Sequence, residues 1–329
     1  MSVKRYTSIL IVFSLFFTTA ALAATKSSGQ LYEEARKHFS HKEYKNATYS
    51  LEEIMLKHPG SKEFLDAHIL FAICQTRQNT SKKAIQPLQY YIQAKKWTTE
   101  SLRARLLLGH AFLDQKMFHE ALLTSLEIQN QKQKLEIPIE IFLESLLIKA
   151  WSHLGLNQTH KAQLAIDSFK IKSNNQDSLS DLKTQASLFE IELKLDQCNR
   201  INNEKKQSET SSVKNLQKHG SCFLEALIDY QNALGHGSLL WINKATFSIQ
   251  NGWYNYLKAC NNVPKPLKKS SKLQTKRYKN ELLSLFLKTC RQNQSAVLKM
   301  LEKWNRNTLG GNRFYIEKLS KVFIKPIKS

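Results

Sequence analysis

Apolar and polar positions alternate with a helical period along most of the chain, and the stretch 44–61 shows this pattern most clearly. Its sequence, YKNATYSLEEIMLKHPGS, places Ala47, Leu51 and Ile54 three to four residues apart and ends in a Pro-Gly pair. Apolar residues at this spacing line one face of an α-helix, and Pro-Gly favours a turn. The stretch therefore predicts an amphipathic helix followed by a sharp exit.

The same helical face recurs four times along residues 31–172. Each copy is defined by a small residue at the centre of the face and by a second small residue twelve positions upstream. The two helices of a hairpin can cross closely where both side chains are small. One such hairpin cannot bury its apolar face alone, so the pattern predicts four hairpins that stack on one another. The predicted packing residues are Ala35, Ala47, Ala72, Ala84, Gly109, Ala121, Ala150 and Ala162.

The repeat pattern resembles that of tetratricopeptide repeat proteins of the bacterial cell envelope over about residues 30–172. The period is 37, 37 and 41 residues, against 34 in that family. The resemblance rests on Leu108, Gly109, Phe112, Phe118, Ala121 and Ile128, on Pro59, and on the run 58–75, HPGSKEFLDAHILFAICQ. The departures are Lys96, Gln133 and Asn174 at the later terminal-proline positions, and Ser125 at a core position. The resemblance implies an α-solenoid whose concave face, lined by the first helices of the hairpins, binds a protein or peptide partner.

Beyond the repeats, helical periodicity continues without the repeat signature, and we expect an all-α chain. Glycine and proline number only 10 and 6, and both disfavour helix interiors. The predicted domains are four hairpins in 24–175 and a basic helical domain in 176–329. Predicted helices cover 179–195, 223–234, 239–260, 276–291, 295–304 and 312–324, and predicted long loops cover 199–218 and 261–274.

Residues 1–23 have the features of a signal peptide. Lys4 and Arg5 precede an apolar core at 9–17, and Ala21 and Ala23 form a small-x-small cleavage site. Nine residues that rise 1.5 Å each are too short for a membrane span of about 30 Å. We therefore expect export and cleavage after Ala23, with the periplasm as the destination and secretion as the alternative.

Export makes the five cysteines candidates for disulfides. Cys74 lies on a predicted repeat helix, where it suits a small buried apolar position. The other four permit three pairings. The sequence favours Cys198 with Cys222, which flank one predicted loop, and Cys260 with Cys290, but the other two pairings remain open.

The net charge of +22 is concentrated at the carboxyl end of the chain. Residues 261–329 contain 17 Lys and Arg against 3 Asp and Glu. Seven of these cations fall within fifteen residues without an acidic neighbour: Lys265, Lys268, Lys269, Lys272, Lys276, Arg277 and Lys279. Such a segment attracts anions, so it predicts an anionic envelope polymer or membrane surface as a partner, unless the charge is only a feature of composition. No nucleic-acid motif occurs, and we expect no nucleic acid as a partner.

The sequence contains none of the standard catalytic, phosphate-binding or metal-binding strings. Glu34, His38 and His41 share a helical face, but a solvated polar surface explains that spacing. We therefore expect no catalytic residue, cofactor or metal, and an adaptor function. The alternative is an enzyme or ligand-binding protein with its site in 176–329, such as one that acts on cell-wall polymer. A pocket there with paired carboxylates or a buried histidine would favour this alternative.

Overall fold

The computed structural model is an all-α protein. It describes residues 26–131, 136–174, 177–203, 209–234, 239–261, 272–307 and 312–324, and these contain thirteen α-helices and no strand. They form two compact units, one within residues 26–131 and the other within residues 136–324. The expected fold class is therefore confirmed.

The first unit contains three helical hairpins. Their helices are α1 (Ser28–Ser40) with α2 (Tyr44–Lys57), α3 (Phe64–Arg77) with α4 (Ile85–Ala94), and α5 (Thr99–Asp114) with α6 (Phe118–Asn130). A short 3-10 turn, Ser81–Ala84, leads into α4. Capping boxes at Ser27 and Thr98 begin α1 and α5, because each hydroxyl accepts a backbone N–H of the first helical turn.

One turn geometry closes all the repeat hairpins. A residue with positive φ, near 60°, stands five positions before the second small residue of each copy: Lys42, Asn79, Lys116 and Asn157. In the third hairpin the N–H of Lys116 donates to Leu113 O at 3.0 Å, and the N–H of Met117 donates to Phe112 O at 2.9 Å. The other three turns repeat this pair of hydrogen bonds, which is that of a Schellman motif. The first helix of every hairpin therefore ends in the same way.

The eight small residues of the repeat all lie in the protein interior. The seven alanines are at most 1% exposed, and Gly109 is also buried. In the first hairpin, Ala35 and Ala47 belong to a cluster of buried side chains that also contains Leu31, Leu51 and Phe71. Because Phe71 lies on α3, this cluster joins the first hairpin to the second.

The second unit contains the fourth hairpin and five further helices. Its helices are α7 (Ile139–Gly155), α8 (Thr159–Ser173), α9 (Ser180–Asn203), α10 (Glu209–Leu234), α11 (Leu239–Asn261), α12 (Lys272–Asn307) and α13 (Asn312–Phe323). The helices α9 to α13 share a core of aromatic side chains. Trp253 lies at its centre, 1% exposed, and contacts Phe223, Tyr256 and Phe323 with ring centroids 5.0–5.4 Å apart.

The division between the units lies near residue 133, earlier than the boundary after residue 175 that the repeat pattern predicts. The fourth hairpin packs against α9, and Trp151 on α7 contacts Phe189 on α9 edge to face at 5.0 Å. Trp151 also packs against the core of α9 to α13. This shared core places the fourth hairpin in the second unit.

Two expectations about helix boundaries are wrong. The predicted loop at 199–218 is mostly helical, because α9 continues to Asn203 and α10 begins at Glu209. Leu216 is 2% exposed and Val213 packs against the same core, so this polar stretch has one buried face. The helices predicted at 276–291 and 295–304 are one helix, α12.

The structure joins Cys198 to Cys222 and Cys260 to Cys290, the pairing that the sequence favours. Their Cα atoms are 5.6 and 6.1 Å apart, within the usual range for disulfides. Cys74 is a buried free thiol, and burial raises its pKa to about 11. A thiol with so high a pKa is a weak nucleophile at neutral pH.

Candidate functional site

The first helices of the three hairpins in the first unit form a row. The helix α1 contacts α3, and α3 contacts α5. These contacts place the three first helices side by side, in the row that the repeat resemblance implies for the concave face.

The accessible face of this row is a stripe that we call the inner stripe. It consists of the positions two before, one after, four after and five after the first small residue of each hairpin, which share one helical face. The stripe comprises Glu33, Arg36, Phe39 and Ser40 on α1, Leu70, Ile73, Thr76 and Arg77 on α3, and Leu107, His110, Leu113 and Asp114 on α5.

The inner stripe combines apolar and polar side chains. Its five apolar side chains are all half-buried: Phe39, Leu70, Ile73, Leu107 and Leu113. Arg77 and Asp114, near the ends of α3 and α5, are exposed. Protein-binding surfaces commonly mix accessible apolar side chains with polar ones.

The inner stripe carries charges of both signs. Nη1 of Arg36 lies 3.1 Å from Oε1 of Glu33, and both side chains are exposed, so this pair contributes little to stability. Burial and the negative charge of Asp66 raise the pKa of Tyr32, so its phenol stays protonated. The surface therefore shows no preference for a strongly acidic or strongly basic partner.

A buried arginine fixes the connection that leads into α5. The guanidinium of Arg105 stacks on the ring of Trp97 at 3.9 Å and donates from Nη1 to Oγ of Ser101 at 3.2 Å. Its Nε lies 3.6 Å from Oε2 of Glu127 on α6. Burial lowers the pKa of Arg105. These contacts hold the start of α5, and Arg105 is only 6% exposed, so it supports the hairpin and is not accessible to a partner.

In the second unit, a surface cavity of about 880 Å³ runs along α12, and we call it the α12 groove. Its lining combines apolar side chains with cations: Asn280, Leu283, Ser284, Leu287, Lys288, Arg291, Gln292, Ser295, Ala296 and Lys299. None of these lining residues is acidic. In the part of the chain that the structure describes, Lys288, Arg291 and Lys299 form no ion pair.

The sequence singles out other cations of this region and misses these three. Lys288, Arg291 and Lys299 follow one another at intervals of three and eight residues on one helix face, so a helical reading of 272–307 would have found them. The sequence pattern instead predicts separate helices at 276–291 and 295–304, which places Lys299 on a different helix from Lys288 and Arg291. Of the cations predicted as partner-binding, Lys265, Lys268 and Lys269 lie outside the described residues. For Lys272, Lys276, Arg277 and Lys279, the structure describes the helical backbone and not the side chains.

The buried titratable groups of the second unit do not line the α12 groove. His219 is 1% exposed and packs edge to face on Tyr256, and burial lowers the pKa of the imidazole to about 4. Burial also raises the pKa of Glu192, which accepts a hydrogen bond from Ser248. The lining residues of the groove include neither a carboxylate pair nor a histidine, so the feature that would favour an enzyme is not present among them.

Several carboxylates outside the two candidate surfaces form ion pairs with nearby side chains. Nζ of Lys26 lies 2.6 Å from Oε2 of Glu34, and His38 pairs with Glu43. Lys194 pairs with Asp229 at 2.8 Å and lies 3.6 Å from Glu225. Within the described ranges, no three His, Cys, Asp or Glu side chains could hold a metal together. No helix of the same ranges is long and apolar enough to span a membrane, and residues 1–23 lie outside them.

The fold and these surfaces define an all-helical protein of stacked hairpins. The structure is similar to a crystal structure of a tetratricopeptide repeat protein from Parabacteroides merdae ATCC 43184. The two are 12% identical, the match covers 79% of this chain and 98% of that chain, and the TM-score is 0.42. No family model and no curated protein matches the chain.

Proposed function

We propose that the protein is an exported adaptor that binds a protein or peptide partner on the inner stripe. The observation that carries the proposal is the set of half-buried apolar side chains that the stripe presents on three adjacent first helices. A partner segment that covers these side chains would remove apolar surface from water, which is the main favourable contribution to association.

We also propose that the basic carboxyl-terminal region brings the adaptor to an anionic partner in the cell envelope. The surplus of 17 cations over 3 acidic residues in 261–329 supports this part of the proposal. The three cations that line the α12 groove add to it. The attraction acts at a distance and does not require the fit of a pocket, so it would operate before the partner segment docks.

Export to the periplasm belongs to the same proposal and rests on residues 1–23. Their basic start, apolar core and Ala21-Leu22-Ala23 site support it. The two disulfides in the second unit are compatible with an oxidising compartment.

The test is partner capture from the native envelope with a matched pair of variants. Ile73→Glu places a carboxylate in the middle of the inner stripe, and Leu123→Glu places one on α6, where the side chain is 61% exposed. We expect the wild type and Leu123→Glu to retain the same partner after crosslinking, and Ile73→Glu to lose it. Equal retention by Ile73→Glu would contradict the inner stripe as the binding surface.

A further inference from the structure

We propose that the α12 groove binds an acidic peptide segment that also carries apolar side chains. The inference deepens the anionic-partner part of the proposed function and rests on it. The occupant is a stretch of a partner protein, with carboxylates that face the cations and apolar side chains that enter the groove.

The charge of the groove selects an anion. Lys288, Arg291 and Lys299 contribute three positive charges, and none of the described lining residues is acidic. Arg291 presents a planar guanidinium that can hold a carboxylate by two parallel hydrogen bonds, and the lysines act as point charges. A carboxylate-bearing chain therefore gains an ion pair at each position.

The apolar floor distinguishes a peptide from a plain polyanion. Leu283 and Leu287 are half-buried and line the groove beside the cations, and Ala296 continues the surface. A phosphate polymer has no group that would remove these side chains from water, whereas a peptide with leucine or similar side chains does. The groove therefore offers both ion pairs and apolar contacts on one face of α12.

The length of the groove fits a peptide of several turns. Its lining extends from Asn280 to Lys299, about 28 Å at 1.5 Å per residue. The cations lie three and eight residues apart, so they lie within roughly 80° of one another around the axis of α12 and share one face. An acidic amphipathic helix lying along α12 would present carboxylates at the same spacing.

Binding of defined probes to the oxidised protein tests the inference. The probe is a labelled synthetic peptide of repeated Leu-Glu-Glu-Leu-Glu-Glu-Glu units, measured by fluorescence anisotropy at low ionic strength. We expect the double variant Arg291→Glu, Lys299→Glu to bind it about tenfold or more weakly. The matched control, Lys318→Glu with Lys321→Glu, reverses two exposed charges on α13 and should change binding by about twofold at most. Equal weakening by the two double variants would overturn the inference, because the effect would then be one of net charge.

A second pair of variants tests the apolar part. Leu283 lines the groove, whereas Leu285, 50% exposed, does not. We expect Leu283→Ser to weaken binding of the peptide and Leu285→Ser to leave it unchanged. Inorganic polyphosphate, tested as a competitor, should displace the peptide poorly.

Two outcomes separate this inference from the proposed function. If polyphosphate competes as well as unlabelled peptide and Leu283→Ser has no effect, the groove binds a plain anion. That result overturns the proposal of a peptide occupant, and the proposal of an anionic partner stands. If the wild type binds neither probe at low ionic strength, both proposals fail.

Discussion

At the scale of single residues, the turns of the hairpins impose backbone strain at fixed positions. Asn79 and Asn157 adopt positive φ at low cost, because a short amide side chain tolerates the left-handed region. Lys42 and Lys116 adopt the same conformation without that advantage. A residue with a Cβ atom in this conformation costs about 1 kcal/mol or more, and glycine avoids the cost.

We therefore expect Lys116→Gly to stabilise the first unit. The gain should be about 0.5–1 kcal/mol, somewhat reduced because glycine also gives the unfolded chain more freedom. Urea denaturation of the full chain measures it. Lys116→Ala is the control, since it removes the same side chain and keeps the strain. A gain of equal size in Lys116→Ala would mean that the strain is not the cause.

The small residues at the helix crossings set a second residue-scale prediction. Ala121 is fully buried, so Ala121→Arg must bury a cation or separate α5 from α6. We expect the free energy of unfolding to fall by about 3 kcal/mol or more. His119→Arg, an exposed position on the same helix, should change it by less than about 0.5 kcal/mol. An unchanged midpoint for Ala121→Arg would contradict the assigned packing of the third hairpin.

The buried imidazole of His219 predicts a pH dependence of stability. Its pKa is about 4 in the folded protein and about 6.5 in the unfolded chain. Between these values the unfolded state binds the additional proton, so the contribution to stability is present above pH ~6.5 and is lost as the pH falls towards ~4. The loss should reach roughly 3 kcal/mol. Denaturation midpoints across this range should show a smaller pH dependence in His219→Gln than in the wild type, and parallel profiles would exclude His219 as the cause.

At the scale of helices, each disulfide joins two helices whose cysteines are far apart in sequence. The bridges span 24 and 30 residues. A crosslink over loops of this size limits the unfolded chain and stabilises by about 3 to 4 kcal/mol. Gly220 on α10 makes room for the side chain of Asn293 on α12, because a Cβ atom at position 220 would lie only 1.9 Å from Nδ2 of Asn293.

We expect alkylation of the unreduced, unfolded protein to label one cysteine, Cys74. Replacing Cys198 and Cys222 by serine should lower the free energy of unfolding by about 3 kcal/mol. Cys74→Ala, a control without a bridge, should cost less. Intact mass after alkylation reports the thiols, and five labelled cysteines in protein taken from its native compartment would contradict both bridges.

The helices that the sequence predicts correctly are those whose own period shows the buried face, such as α2 and α11. The two wrong boundaries depend on contacts between distant segments. Asn293 and Gln294 look like a polar break, but Nδ2 of Asn293 donates to Tyr256 Oη at 2.6 Å and Nε2 of Gln294 donates to Phe323 O at 2.7 Å. These bonds to α11 and α13 satisfy polar groups inside one continuous helix. No local pattern reveals such partners.

The two candidate surfaces differ in how far the sequence predicts them. The inner stripe follows from the repeat register, because its positions are counted from Ala35, Ala72 and Gly109. The α12 groove does not, because it depends on the unbroken helix that carries Lys288 and Lys299 on one face.

At the scale of the whole molecule, the charge distribution predicts salt-dependent binding. The protein should bind vesicles of anionic lipid or an anionic envelope polymer at low salt, and the binding should fall steeply between about 50 and 300 mM salt. Charge-neutral replacement of Lys268, Lys269, Lys272 and Arg277 should weaken it and leave the helical circular dichroism unchanged. If the substituted protein binds as well as the wild type across this range, the charge is a feature of composition and does not serve binding.

The central claim is that a partner docks on the first helices of the repeat, and site-specific photocrosslinking in the native host tests it most directly. A photoreactive amino acid at position 73 lies in the middle of the inner stripe, and one at position 123 lies on the second helix of the third hairpin. We predict a discrete crosslinked product from position 73 and none from position 123. A product from position 123 alone would contradict the account, because the partner would then bind the second helices.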